Sequence, residues 1–276
     1  MNKIGVMLGN SAKDDFRGAF RRLKAMGIES CQFGISGNPE IFNDDYAKAL
    51  KEALEAEDFE ISLFWVGLSG PAEWNFTGGP VTIGFVPEQY RKQRVEEMKL
   101  ASLFAEKVGV KNLCTHAGFL PENPTDPLYT PVLAALTEVC QFLKEHGQNF
   151  LFETGQETPV TLLRFIEAIG TGNVFINFDT GNVILYGKAN SADAVRVFGK
   201  YVRDTHIKDG LYPTDGNNLG REVKVGEGLA NIPLVYSLLK ECGYEGPLTI
   251  EREISGEAQQ RDIADTIAYL KAIMAQ

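Results

Sequence analysis

Along this chain the spacing of apolar residues switches repeatedly between two and about three and a half, the periods of strand and helix. KIGVML (3–8) predicts a strand, and DDFRGAFRRLKAMG (14–27) a helix that Gly27 stops. SCQFGIS (30–36) is the second strand, and NDDYAKALKEALEAED (43–58) the second helix, with Asn43 or Asp44 as its cap. EISLFWVGL (60–68) is the third strand. A loop rich in Gly, Pro and aromatics follows (69–87), then the longest helix, 88–108, which ends before Gly109. KNLCTHA (111–117) is the fourth strand, and a helix over 130–146 closes at Gly147. The second half repeats the scheme, with strands at 149–154, 174–179, 202–208 and 247–253. Its helices fall at 159–170, 191–201, 231–242 and 257–275.

Eight strand–helix pairs in strict alternation imply parallel strands joined by right-handed crossovers. Within 276 residues, eight units favour one closed (β/α)8 barrel, the TIM barrel of the α/β class, as a single domain over 1–276. An open doubly wound sheet is the alternative. No Gly-rich dinucleotide fingerprint follows the first strand, where GNSAKDD stands instead. Loops after strands three, four and seven are long, whereas helix-to-strand links are short. The elaborated end is therefore the C-terminal end of the strands, where barrels of this kind carry their chemistry.

Charge and cysteine usage narrow the partners. A formal net charge of −10 disfavours nucleic acid and anionic membranes. Cys31, Cys114, Cys140 and Cys242 form no CxxC pair and read as reduced and mostly buried, which fits a cytoplasmic protein. The apolar run at the N-terminus is too short for a secretory signal, and no stretch reaches the ~20 apolar residues of a membrane span. A small molecule is the expected partner, and homo-oligomerisation is compatible with this picture.

Four strand ends carry metal-competent side chains: Glu153 in FLFETGQE, Asp179 in VFINFDTGN, His206 in VRDTHIKD and Glu251 in PLTIERE. Alternation along a strand puts each on the parity of one face, so a closed barrel can turn all four inward onto one ion. Two glutamates, an aspartate and one imidazole suit Mn²⁺ first, with Mg²⁺, Co²⁺ or Zn²⁺ as alternatives. Three carboxylates gathered without a cation would repel one another. Taken singly, Asp179 in Asp-Thr-Gly-Asn is also good turn chemistry, and His206 alone would be an ordinary hydrogen-bonded histidine.

Further candidates surround this set. His116, in CTHAG, ends strand four on the same side and reads as substrate-binding or as a plain hydrogen-bonded residue. Lys208 shares the His206 face and is expected to contact substrate or pair with an acid. Asp204 and Glu253 share faces with proposed ligands and read as their supports. Trp74, Phe76 and Phe85 in the 69–87 loop are expected to cover the barrel mouth, with Trp74 against the substrate. Trp65 fits pocket wall and core equally. His146, before a helix-closing glycine, reads as structural. In KVGEG, Lys224, Gly226 and Gly228 can offer backbone N–H groups to an anion, helped by Arg221 and opposed by Glu222 and Glu227. That balance favours an unphosphorylated sugar.

The order Glu, Asp, His, Glu on strands five to eight resembles the xylose-isomerase-like barrel superfamily. The telling stretches are LFETGQE, NFDTGN, THIKDG, KVGEG and GPLTIERE. Its members include sugar and sugar-phosphate isomerases and epimerases, such as ketose 3-epimerases and hydroxypyruvate isomerase, and also inosose dehydratase and endonuclease IV. The resemblance implies that Glu153 and Glu251 each ligate the metal and each face one side of a carbon that exchanges a proton, on a sugar or polyol ketone. Dehydration at the same site is the alternative reaction, and a non-catalytic sugar-binding barrel the alternative of another class. Three histidines and an acidic balance fit a three-zinc nuclease poorly.

Overall fold

The eight long apolar runs do close on themselves. In the computed structural model, which describes residues 2–9 and 15–275, the strands are β1 (Ile4–Leu8), β2 (Ser30–Ser36), β3 (Glu60–Gly67), β4 (Asn112–Thr115), β5 (Asn149–Glu153), β6 (Val174–Asp179), β7 (Val202–Ile207) and, last around the ring, β10 (Leu248–Ile250). Each pairs in parallel with its neighbour, and β10 pairs with both β7 and β1. The expected start of the first helix at residue 14, and most of GNSAKDD, lie outside the described residues.

The helices flank the barrel: α1 (Phe16–Ala25), α2 (Asp44–Glu57), α4 (Glu88–Val108), α5 (Tyr129–Glu145), α6 (Pro159–Ile169), α8 (Ser191–Phe198), α9 (Ile232–Glu241) and α10 (Gly256–Met274). Of the two candidate caps for α2, Asn43 takes the role, accepting from Tyr46 N at 3.1 Å. Alternation along the strands sorts the core. Phe150 and Phe152 of β5 face outward to the helices in the main core, whereas Leu151 joins Leu63 and Cys114 in a small plug inside the barrel. At the strands' C-terminal ends the inward side chains become polar, and there the plug gives way to the site.

Four details differ from the periodicity. β4 ends at Thr115 and β10 at Ile250, so His116 and Glu251 stand just beyond the regular ladder. Alternation reports burial, not whether a neighbour still offers a backbone partner. The expected helix 191–201 is α8 followed by a 3-10 turn, Gly199–Tyr201. Two short helices, α3 (Gly79–Thr82) and α7 (Asn182–Leu185), sit within connections read as loops. The long connection after β7 folds into an antiparallel ribbon of β8 (Asp209–Leu211) and β9 (Arg221–Val223).

Among the described residues the four cysteines are free, three of them buried and Cys242 exposed. No described helix is long and apolar enough to cross a membrane.

Candidate metal centre and its pocket

Glu153 and Asp179 are the last residues of β5 and β6, and Asp179 is in register with His206 of β7. Closing the barrel brings these three and Glu251 together, with one ligand atom from each lying within 4.8 Å of the others. His206 Nδ1 stands 3.0 Å from Glu153 Oε1, 3.3 Å from Glu251 Oε2 and 3.7 Å from Asp179 Oδ2. Ligands about 2.2 Å from a hard cation sit roughly 3 Å apart when adjacent and 4.4 Å when opposite, so these separations fit one ion. Asp179 supplies a second test. Its Oδ1 accepts from Gly181 N (2.8 Å) and Asn182 N (2.7 Å), closing the turn that leads into α7. Its Oδ2 is buried with no hydrogen bond and faces the cluster. The turn therefore uses one oxygen of this carboxylate and leaves the other available to an ion.

Surrounding groups fix the orientation of the set. Gln32, in β2, donates from Nε2 to Asn177 Oδ1 at 2.8 Å, which leaves its Oε1 to accept from His206 Nε2 at 2.6 Å. That bond holds the proton on Nε2 and aims Nδ1 at the carboxylates. Trp65 Nε1–H donates to Glu153 Oε2. His116 Nε2 lies 3.3 Å from Glu153 Oε1. Lys208, fully buried, reaches Glu251 Oε2 at 3.1 Å, Glu253 at 2.8 Å and Asp179 Oδ2 at 3.6 Å.

The electrostatics follow from this crowding. Burial opposes the imidazolium of His206, but Glu251 and Glu153 outweigh it and raise its pKa well above the usual histidine range. Burial likewise opposes the Glu153 carboxylate, yet His116 and His206 hold it well below the ordinary value. Glu251 is drawn down to about 2 against burial by His206 and Lys208. In Asp179 burial wins over Lys208 and lifts the carboxyl to about 6. Without an ion, the protonated imidazole takes the place of positive charge among three carboxylates.

A cavity of about 380 Å³ opens above these groups, lined by Trp65, Trp74, His116, Glu153, Tyr186 and Glu251 among others. Trp74 packs on His116 with ring centroids 4.9 Å apart, and Phe76 meets Tyr186 edge-on at 6.3 Å. Phe85 departs from expectation. It is fully buried in the core, because the chain at Gly84 presses on Ala117, where a Cβ would stand 2.0 Å from the carbonyl. Trp65 lines the cavity and touches Glu153. Glu253 pairs with Lys208, whereas Asp204 lies deeper, bound to Thr249 Oγ1 at 3.0 Å. His146 caps α5 and faces Glu106 at 3.1 Å, away from the site.

The KVGEG segment is corrected by its own fold. The N–H groups of Gly226 and Gly228 both donate to Asp209 Oδ2 at 3.0 Å, and Ala230 N donates to Oδ1 at 2.9 Å. The anion in this nest is the chain's own carboxylate, and a Cβ on Gly228 would stand 2.2 Å from it. Sequence reasoning missed Gln32, Asn182 and Tyr186. For Gln32 the signal was present, a carboxamide inside the apolar run SCQFGIS, which had to find a buried partner.

The model of the xylose isomerase-like TIM barrel family matches residues 20–273. A xylose isomerase domain protein of Planctomyces limnophilus has a similar structure, with 31% identity and a TM-score of 0.90 over 98% of this chain and 96% of that one. The 3-keto-D-glucoside 4-epimerase of E. coli shares the fold at 16% identity and a TM-score of 0.74, covering 99% of this chain and all of its own. An inosose dehydratase of Klebsiella pneumoniae is 28% identical over 115 residues, 36% of this chain and 38% of its own. The match to an uncharacterized protein of Methanocaldococcus jannaschii is longer, 26% over 177 residues, yet still covers only 60% of this chain and 59% of the relative. A barrel with a Glu-Asp-His-Glu cluster at its C-terminal mouth, matched by the family model over nearly its whole length, belongs to the xylose isomerase-like TIM barrel family.

Proposed function

We propose that this chain is a divalent-metal-dependent isomerase or epimerase of a sugar or polyol ketone. The observation that carries this reading is the pair Glu153 and Glu251. They come from β5 and from the end of β10, with two strands between them, and both line the same cavity while each holds an oxygen against His206 Nδ1. Glu153, Asp179, His206 and Glu251 would hold a divalent ion, Mn²⁺ favoured with Mg²⁺, Co²⁺ or Zn²⁺ as alternatives, and such an ion would supply charge stabilisation for a developing enediolate.

The residues divide the remaining work. One carboxylate takes a proton from the carbon, and the other, on the opposite face, returns one with inversion. Glu153 is steadied for this by Trp65 and His116, and Glu251 by Lys208. Trp65, Trp74 and His116 wall the cavity, exclude water and offer apolar faces to C–H groups of a sugar. Lys208 and His116 are the proposed substrate contacts.

Elimination of water is the second reading, favoured by the segment similar to inosose dehydratase. One experiment separates them. The Mn²⁺-supplemented protein is incubated in D₂O with ketoses and inososes and followed by NMR. Deuterium on carbon without loss of mass supports the first reading, and an enolic or diketone product supports the second. Glu153→Gln and Glu251→Gln should each lower exchange by roughly 10²–10⁴ while keeping an oxygen donor for the ion. Exchange that survives both substitutions at wild-type rate refutes their assignment.

A further inference from the structure

Beside the centre lies a second group of buried polar side chains that the proposed chemistry does not use. Gln156 and Glu157 follow Glu153 in the β5–α6 connection and are 1% and 4% exposed. Both polar atoms of the Gln156 carboxamide and both oxygens of Glu157 lack a well-formed protein hydrogen bond: the Gln156 carboxamide is approached only loosely by Tyr186, and the Glu157 carboxyl only by the backbone N–H groups of Gly155 and Glu157. His116 Nδ1 is buried without a hydrogen bond, and the buried Tyr186 hydroxyl makes no more than a loose approach to Gln156. These groups share one corner. The Tyr186 ring lies over the chain at Gly155, where an added Cβ would meet it at 3.5 Å. Tyr186 is within electrostatic reach of Gln156 and Glu157, and Glu157 within that of His116. Tyr186 and His116 also line the cavity above the metal centre.

A buried polar group without a good partner is costly, so a fold does not gather several without compensation. Their chemistry indicates what compensates. Gln156 both donates and accepts, Glu157 accepts, Tyr186 can do either, and Nδ1–H of a charged His116 donates. A sugar hydroxyl donates once and accepts twice, so neighbouring hydroxyls can serve all of them. A phosphate only accepts and carries charge that Glu157 opposes. The backbone nest of the KVGEG segment is already filled by Asp209.

Resting on the sugar or polyol-ketone reading above, we infer that Gln156, Glu157 and Tyr186, with His116 at their edge, form a hydroxyl-binding subsite for a vicinal diol of a neutral polyol ketone, away from its reacting carbon. Burial lifts the Glu157 carboxyl to about 7, so near neutrality it donates or accepts as the diol requires.

The test reads binding and needs no turnover. The Mn²⁺-loaded protein is titrated calorimetrically with D-fructose, scyllo-inosose and, as a three-carbon ketone too short to reach the corner, dihydroxyacetone. In Glu157→Leu the affinity for at least one polyol ketone should fall about 10–100-fold, and in Tyr186→Phe by roughly 3–10-fold, with dihydroxyacetone held within twofold. Thermal stability of the ligand-free Glu157→Leu protein should equal or exceed wild type, because a poorly partnered buried carboxyl has been removed. D-fructose 6-phosphate should bind no more tightly than D-fructose. The inference is overturned by polyol affinities indifferent to both substitutions, or by equal losses for all probes accompanied by lost thermal stability. It is overturned equally by a wild type that binds neither polyol ketone more tightly than dihydroxyacetone, or that prefers the phosphate. Subsite-dependent binding without carbon-bound deuterium would strike down the reaction and leave the subsite standing.

Discussion

Binding of a divalent ion at this centre should expel a proton, and the number expelled can be worked from the geometry. His206 Nδ1 stands 3.0, 3.3 and 3.7 Å from carboxylate oxygens of Glu153, Glu251 and Asp179. At an effective dielectric near 20, each contact attracts an imidazolium by on the order of 5 kcal/mol. Burial takes back several kcal/mol, and the balance still leaves the pKa well above the usual histidine range. The ion-free protein therefore carries a proton on the nitrogen that the metal needs. The two are exclusive, so the apparent metal affinity should fall tenfold, about 1.4 kcal/mol, for each pH unit lost while His206 stays protonated in the free protein.

Asp179 sharpens this. Its folded pKa is raised to about 6, so below that pH a second proton competes and the slope should steepen towards two decades per unit. The sign is fixed by both groups: the ion binds better as pH rises. The assay is titration calorimetry with Mn²⁺ at pH 7 in buffers of different ionisation enthalpy. The dependence of the observed heat on the buffer gives the protons released, and about one is expected. Tight binding at pH 7 with no proton released would show His206 already neutral, and the charge argument for this centre would be wrong.

Two further substitutions test the scaffold around the site. Asp209→Ala leaves the N–H groups of Gly210, Gly226, Gly228 and Ala230 without their acceptor, which should cost about 3–5 kcal/mol and lower Tm by roughly 2–4 °C for each. A Tm within about 1 °C of wild type would mean that the nest contributes nothing. Arg94 is buried and donates to the carbonyls of Ser69, Pro71, Thr82 and Gly84, so the loop bearing Trp74 is a stapled wall. In Arg94→Met, amide exchange over residues 69–84 should accelerate at least tenfold, and unchanged protection would return the loop to its own packing.

What could be read in advance was whatever depends on periodicity. Eight apolar runs alternating with helical patterns determine a barrel, and parity along β5, β6 and β7 determines that Glu153, Asp179 and His206 point inward. The loops did not yield in the same way, because their partners are distant in sequence. KVGEG offers backbone donors, but that its anion is Asp209 depends on the β8–β9 ribbon folding back. Arg94 passes for one more charge on a polar helix, though it lies four residues before Met98 on the buried face of α4. The Asp179 segment was ambiguous because the carboxylate has two oxygens, one making the turn and the other left facing the cluster without a hydrogen bond.

The barrel mouth is built from two unlike halves. From β5 round to β10 the strands contribute Glu153, Asp179, His206, Lys208 and Glu251, a cluster whose charges are balanced only when positive charge sits among them. The facing elements contribute Trp65 from β3, Trp74 from the following loop and His116 after β4, with broad ring faces and no acidic group. Gln32 links the halves from beneath, reaching from β2 to His206 and Asn177. The sugar or polyol ketone proposed above suits both halves, with its carbonyl towards the side where an ion would sit and its C–H faces towards the aromatic side. The acidic residues favour a neutral molecule over an anionic one, since Glu253 adds to three carboxylates already there. A polyhydroxylated ketone meets all three conditions, whereas a phosphorylated one would meet two and lack a nest for its phosphate.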